Sequence, residues 1–290
     1  MKPTVSITKV LAELADEVSR NLSFAYQDNI RVSYGEETIT ESCLLNLKRK
    51  LGPLVDIDTF SKSKESKVTG ADWEWHFVGS KFVASFRVQA KRVTKNGGIS
   101  GVLRQSKTSP APQADLLISD AKKHNMVPLH CFYCAEEHRT KWVAAPTSAE
   151  GHVPLLTGCL IADAATVRLA NPKNLTEIEQ LTVPWHFMFS EKVFQQRAVL
   201  YEKRFVAPAM TFEVSSETIA ITPDTKLPLM SFKIPNLNKN LDDRQKVGIR
   251  SLDQYKVDRN FLKETALERN VSRIMEIDIS DPDFFKMQLG

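Results

Sequence analysis

The stretch Gly70 to Lys91, GADWEWHFVGSKFVASFRVQAK, restricts the fold more than any other part of the chain. Trp73, Trp75 and Phe77 alternate with Asp72, Glu74 and His76. Further on, Phe82, Ala84, Phe86, Val88 and Ala90 alternate with Val83, Ser85, Arg87, Gln89 and Lys91. Successive side chains of a strand point to opposite faces, so this alternation predicts two strands, each with one buried face. Gly79-Ser80 between them predicts a two-residue hairpin turn. That turn pairs Val78 with Lys81 and brings the polar faces of both strands to one side. Asp72 then stands opposite Arg87 and diagonal to Gln89.

The polar face gathers a carboxylate, an amide oxygen and an ammonium. Mg²⁺ takes carboxylates and neutral oxygens and keeps several waters. A lysine beside such a cation can orient an attacking water or steady developing negative charge. Asp72, followed after 17 residues by Gln89-x-Lys91, is the pattern of a one-metal phosphodiesterase site written on a hairpin. The competing reading is structural: Asp72, Arg87 and Glu74 as cross-strand ion pairs on an exposed sheet face, contributing little to stability.

The flanking elements follow from helical and strand periodicity. Ser6 to about Ala25 reads as an amphipathic helix with Ile7, Val10, Leu11, Leu14, Val18 and Leu22 on its buried stripe and Ser6 as N-cap. Glu36 to Leu51 reads as a second helix, with a capping box at Thr38 to Glu41 and a stop at Gly52-Pro53. Leu54 to Phe60 alternates as a strand, and Ser61 to Gly70 is a charged connector. Pro112 to Asn125 is a helix with Leu116, Leu117 and Ala121 inward, and Met126 to Cys134 a further apolar strand. The order from Glu36 to Cys134 is therefore α-β-β-β-α-β.

The hairpin residues and this order resemble the PD-(D/E)XK nuclease superfamily, in the variant where Gln replaces the second acid, as in modification-dependent restriction enzymes. More narrowly, the GADWEW…VQAK wording is similar to an uncharacterised bacterial family of unknown function, from the N-terminal helix to about Trp185. The resemblance implies an α/β (α+β) fold: a restriction-endonuclease-like domain over 1–190, with a mixed central sheet flanked by helices, and a C-terminal extension over 191–290. It implies Asp72, Gln89 and the main-chain carbonyl of Ala90 as ligands of Mg²⁺ or Mn²⁺, with Lys91 catalytic. In that superfamily the helix before the strands often supplies an acid, and Glu37 and Glu41 are both placed to do so, although the capping box accounts for Glu41 without a metal. Glu74, on the Asp72 face, is a further ligand or lies just behind the ligands. Gln113 is expected near the site.

The implied activity is that of a metal-dependent endonuclease hydrolysing nucleic-acid phosphodiester bonds, DNA foremost, in restriction or phage (antiviral) defence. Many such nucleases cut duplexes as dimers, which makes a homodimer an expected partner. The alternative turns on Gln89: a neutral amide binds metal less strongly than a carboxylate, which suits a catalytically weak or inactive nuclease-fold module that binds nucleic acid or regulates.

Charge distribution adds to this. From Arg87 to Ala114 the chain carries Arg87, Lys91, Arg92, Lys95, Arg104 and Lys107 and no acid in 28 residues, although the whole chain is only +4. Such a run suits a phosphate backbone, although charge runs are usually solvated loops. The four cysteines are too few and scattered for a disulfide scaffold. Cys131-Phe-Tyr-Cys134 with His130 and His138 invites a zinc reading, but on a strand the two thiols point to opposite faces, so buried thiols are expected. No apolar run reaches the ~20 residues of a membrane span, and the N-terminus lacks a signal peptide's apolar core. The expected location is the reducing cytoplasm, with no membrane partner. Thr157 to Arg168 reads as a small-residue turn and helix, and Pro184-Trp185-His186 closes the region of resemblance. Beyond Glu191 the sequence suggests a basic helix to Arg204, strands around Met210 to Ile221 and Leu229 to Ile234, a polar stretch over Asn236 to Arg250 and a charged helix near Arg259 to Arg273.

Overall fold

A computed structural model of the chain describes residues 6–59, 70–99, 101–102, 111–138, 158–178, 181–189, 218–222, 225–228, 234–241, 248–258 and 273–284. Helix α1 (Ile7–Ala25) starts where Ser6 accepts a hydrogen bond from the Lys9 amide, and the expected stripe from Ile7 to Leu22 is buried. Helix α2 (Glu36–Leu51) has the expected bounds but not the expected cap. Its N-cap is Gly35, which puts Thr38 and Glu41 inside the helix rather than across its end. Thr40 instead donates from its hydroxyl to the Glu36 carbonyl at 2.8 Å. Gly52 ends the helix at φ 57°, a left-handed conformation that glycine adopts without Cβ strain.

Strands β1 (Val55–Thr59), β2 (Trp73–Val78) and β3 (Phe82–Arg92) precede helix α3 (Gln113–Lys123) and strand β4 (Val127–Tyr133). The α-β-β-β-α-β order is thus present from Glu36 to Tyr133. Strand β5 (Cys159–Asp163) and helix α4 (Ala164–Ala170) follow. The first half of the stretch expected as turn and helix is therefore a fully buried strand, and Asp163 caps the helix through the Thr166 amide. A short helix α5 (Leu175–Ile178) leads to β6 (Val183–Pro184). Later come a separate hairpin of β7 (Thr218–Thr222) and β8 (Thr225–Pro228), then β9 (Ile249–Ser251) and β10 (Arg273–Asp278). The basic helix expected over Glu191 to Arg204 and most of the charged helix expected near Arg259 lie outside the described residues. Arg273 itself opens a strand.

One mixed sheet runs β1-β10-β2-β3-β4-β5-β6, with β9 beside Phe82 to Ala84 at the start of β3. Strand β10 is parallel to β2 and antiparallel to β1, so it separates two strands that are neighbours in sequence order. The sheet therefore takes strands from both sides of the expected 190/191 division. Helices α1 and α2 cover the face carrying Trp73, Trp75, Phe77, Phe86, Leu129 and Tyr133. Trp185 donates from its indole N–H to the Leu11 carbonyl at 2.7 Å, anchoring the β6 region to α1. On the other face Ala114 of α3 and Val167 of α4 pack on Phe132, Leu160 and Ala162.

The hairpin keeps its predicted parity but not its register. The pairs run from Trp73↔Val88 to Val78↔Val83, and Glu74 rather than Asp72 faces Arg87. The ladder has moved by two residues, which leaves every side chain on its expected face. The turn is centred on Ser80-Lys81, closed by the Gly79 amide donating to the Phe82 carbonyl at 2.9 Å. Gly79 is required for approach rather than for turning: a Cβ there would lie 2.5 Å from Leu237 Cβ. The amides of Lys81 and Phe82 both donate to the Leu237 carbonyl. A segment far along the chain thus sets the turn.

Both faces of the hairpin are buried, not one. Glu74, fully buried, pairs with Arg87 at 2.8 Å and with His76 at 3.0 Å. Arg87 also pairs with Asp120 of α3. His76 shares a hydrogen bond with Ser85 at 2.9 Å, and Arg250 donates to Ser85 at 3.2 Å. The polar face is a buried ion network under α3 and residues 248–258. Burial pushes His76 below the ordinary histidine range, with Glu74 acting in the opposite direction.

Candidate active site around Asp72 and Lys91

Strand β3 outruns its partner. Pairing with β2 stops at Trp73↔Val88, while β3 continues to Arg92. The amides of Ala90 and Arg92 would face that side without a strand partner, and buried N–H groups must be paired. Each meets a carboxylate. Ala90 donates to Asp72 Oδ2 at 2.6 Å, and Arg92 donates to Glu36 Oε1 at 2.8 Å. Two acids, one from the residue before β2 and one from the first turn of α2, thus line successive positions along one strand. A strand residue sends its N–H and C=O to the same side, so the Ala90 carbonyl faces this edge too.

Asp72 is held up to about 6. Burial is the main cause; the Ala90 amide, Lys91 and Arg273 pull it down, and the nearby Glu36 charge pushes it up. Lys91, 7 % exposed, donates from Nζ to Gln113 Oε1 at 3.1 Å, at the start of α3. Gly70 closes the contact between these parts. It adopts φ 65°, and a Cβ there would lie 2.3 Å from the Gln113 carbonyl oxygen. Gln89 donates from Nε2 to the Gly70 carbonyl at 2.5 Å. Its Oε1 is buried with no hydrogen-bond partner among the described residues. His130 of β4 pairs across from Gln89, and burial and Lys91 push it down to about 3, so the ring is neutral.

Of the residues predicted from sequence, Asp72, Lys91, Ala90 and Gln113 come together. Gln89 lies on β3 two residues from Lys91, tied to Gly70. Glu74 is on the predicted face but is enclosed with Arg87 and His76. Glu37 and Glu41 both pair with Arg273, at 3.3 and 2.6 Å. Arg87 has no exposed surface to offer a phosphate, because it sits inside the Glu74 and Asp120 pairs. Arg92 is half-buried, donating to the Tyr34 carbonyl at 3.1 Å and lying 5.8 Å above the Tyr26 ring. Lys95 is exposed and pairs with Asp28 at 2.5 Å. Arg104 and Lys107 lie outside the described residues. Cys131 and Cys134 fall in different core clusters, and all four cysteines are buried free thiols, as strand alternation predicts.

Two residues of the site escaped the sequence reading. Glu36 sits beside the acids that were named, and its only signal was its place in the first turn of α2. Arg273 had none, because its strand is far away in the chain.

Among the described residues no group of three or more His, Cys, Asp and Glu side chains is placed to hold a metal ion. What the described residues offer here is two carboxylates, a strand carbonyl and an amide oxygen that lacks a donor among them. That set fits Mg²⁺ or Mn²⁺, which accept few carboxylates and fill the shell with neutral oxygens and water. It does not fit zinc, which prefers a closed set of nitrogen and sulfur ligands.

No helix among the described residues is long and apolar enough to cross a membrane. No curated protein matches the chain. A family profile matches residues 7–278, from the first residue of α1 to the last of β10. The matched residues run past Trp185 and include the strand that brings in Arg273. The chain belongs to the family of unknown function DUF6615.

Proposed function

We propose that this protein is a divalent-metal-dependent nuclease that hydrolyses nucleic-acid phosphodiester bonds, with DNA as the first substrate to test. One observation carries the reading: Asp72 and Glu36 accept from the Ala90 and Arg92 amides of β3, beyond the end of its pairing with β2, with Lys91 projecting from the residue between those amides. Like charges brought together and partly desolvated are costly unless a cation joins them. Asp72, Glu36 and the Ala90 carbonyl would hold the cation, with Gln89 Oε1 as a further neutral oxygen. The ion would supply Lewis-acid polarisation of a phosphoryl oxygen. Lys91 is oriented by Gln113, and its remaining N–H donors can meet a phosphate oxygen or an attacking water. Exposed Lys95 is the described member of the basic run best placed to meet a phosphate backbone. A role in restriction or phage defence, a cytoplasmic location and a dimeric active form belong to the same proposal.

A second reading is favoured by one feature. Gln89 is neutral, and an amide oxygen binds a cation less tightly than a carboxylate, which suits a nucleic-acid-binding or regulatory module. Cleavage of supercoiled and linear DNA with Mg²⁺ or Mn²⁺ separates the two. The nuclease reading expects Lys91→Met and Asp72→Asn each to lower the cleavage rate by at least about a hundredfold while remaining folded. Cutting at the parent rate by both variants would overturn the assignment. Binding of DNA without any metal-dependent cutting by the parent favours the second reading.

A further inference from the structure

We infer that Arg273, the first residue of β10, is a positioning residue for both carboxylates of the site. The inference deepens the nuclease reading and rests on it only for its catalytic consequence. Arg273 has a side chain only 5 % exposed. Its Nη2 donates to Glu41 Oε1 at 2.6 Å and to Glu37 Oε1 at 3.3 Å, and its Nη1 lies 3.5 Å from the main-chain carbonyl oxygen of Asp72. One planar group thus spans the start of α2 and the residue that leads into β2.

The consequence follows from connectivity. Glu37 is the residue after Glu36, so fixing the first turn of α2 fixes where the Glu36 carboxylate can reach. That carboxylate meets the Arg92 amide. The same guanidinium holds the Asp72 backbone, whose carboxylate meets the Ala90 amide. Glu37 and Glu41 stand four residues apart on a helix, where two like charges repel. Arg273 between them turns that repulsion into a clamp. The acids of α2 therefore divide: Glu37 and Glu41, each more than half exposed, hold the arginine, and Glu36 lines the site. A guanidinium can serve several acceptors at fixed angles, whereas an ammonium offers no such planar fork. Lysine at 273 should keep part of the clamp and lose the rest.

The test uses the full chain without metal. Amide hydrogen exchange is followed by NMR in the parent, Arg273→Met, Arg273→Lys and Glu41→Gln. The same variants are assayed for kcat and KM on duplex DNA with Mn²⁺. In Arg273→Met the Ala90 and Arg92 amides should exchange about tenfold faster, while Phe86 and Val88, inside the ladder, stay within about twofold. Arg273→Lys should recover part of that protection. The kcat should fall about tenfold with KM little changed. Unchanged exchange at Ala90 and Arg92 in folded Arg273→Met, or equal acceleration along all of β3, overturns the inference. If Arg273→Met does not fold, Glu41→Gln must still speed exchange at Arg92, and its failure to do so overturns it equally. A parent that shows no metal-dependent cleavage counts against the nuclease reading alone, since the exchange rates judge Arg273 separately.

Discussion

A carboxyl group held at about 6 works against the fold that contains it. The folded-state value of Asp72 lies above its ordinary value near 3.8, so the group favours the folded state while protonated. That contribution is full below pH ~4 and is lost as pH rises through about 6. A cation binds the ionised form and offsets the loss. Two outcomes follow for thermal unfolding. Mn²⁺ should raise Tm more at pH 7.5 than at pH 5. In metal-free buffer at pH 7.5, Asp72→Asn should be as stable as the parent or about 1–2 kcal/mol more stable, since the amide oxygen still accepts from Ala90 and part of the desolvation cost disappears. A variant less stable than the parent would mean that Asp72 serves the fold rather than a ligand. The identity of Asp72 as a site residue was legible, because an acid followed by Gln-x-Lys on alternating strands is a chemical pattern. Glu36 was not distinguishable from Glu37 or Glu41 in sequence, because a helix start with three nearby acids does not say which one turns toward the strand.

At the scale of elements, the hairpin shows what periodicity carries and what it omits. Alternation gave both strands and their shared faces, since parity survives a shift of two residues. The turn was misplaced by one residue because Gly79 answers to Leu237, a contact no local pattern announces. The polar face was expected to be open, yet it is covered by α3. Alternating polar residues read as solvent-facing unless their partners are known, and Asp120 is such a partner. Arg87 therefore ties the hairpin to α3 rather than meeting a phosphate. Arg87→Met would leave Glu74 and Asp120 without their shared cation and should cost about 3–5 kcal/mol in a urea titration. Loss of DNA affinity in a variant of undiminished stability would contradict that placement. The missed β5 has a similar cause: Cys159 to Asp163 is short, apolar and rich in small residues, and periodicity does not separate a buried strand from a helix there.

For the whole molecule, the decisive fact is that β10 lies between β1 and β2. The order of elements from Glu36 to Tyr133 was legible because each has its own local signal. The insertion was not, because it depends on pairing across some two hundred residues, and Arg273 to Asp278 is only six residues long. The family match to residue 278 agrees with a fold unit that includes this strand. Residues 1–190 expressed alone should accordingly fail to show a cooperative unfolding transition, since the sheet would lack the strand that joins β1 to β2 and Glu37, Glu41 and Asp72 would lose Arg273. A cooperative transition for that fragment would show that the sheet closes without β10. If Asp72 and Glu36 hold a cation beside Lys91, calorimetric titration of Mn²⁺ into the full chain at pH 7.5 will register it. One saturable binding event is expected in the parent and none in Asp72→Asn or Glu36→Gln. Equal heats in all three proteins, or no heat in the parent, would contradict it.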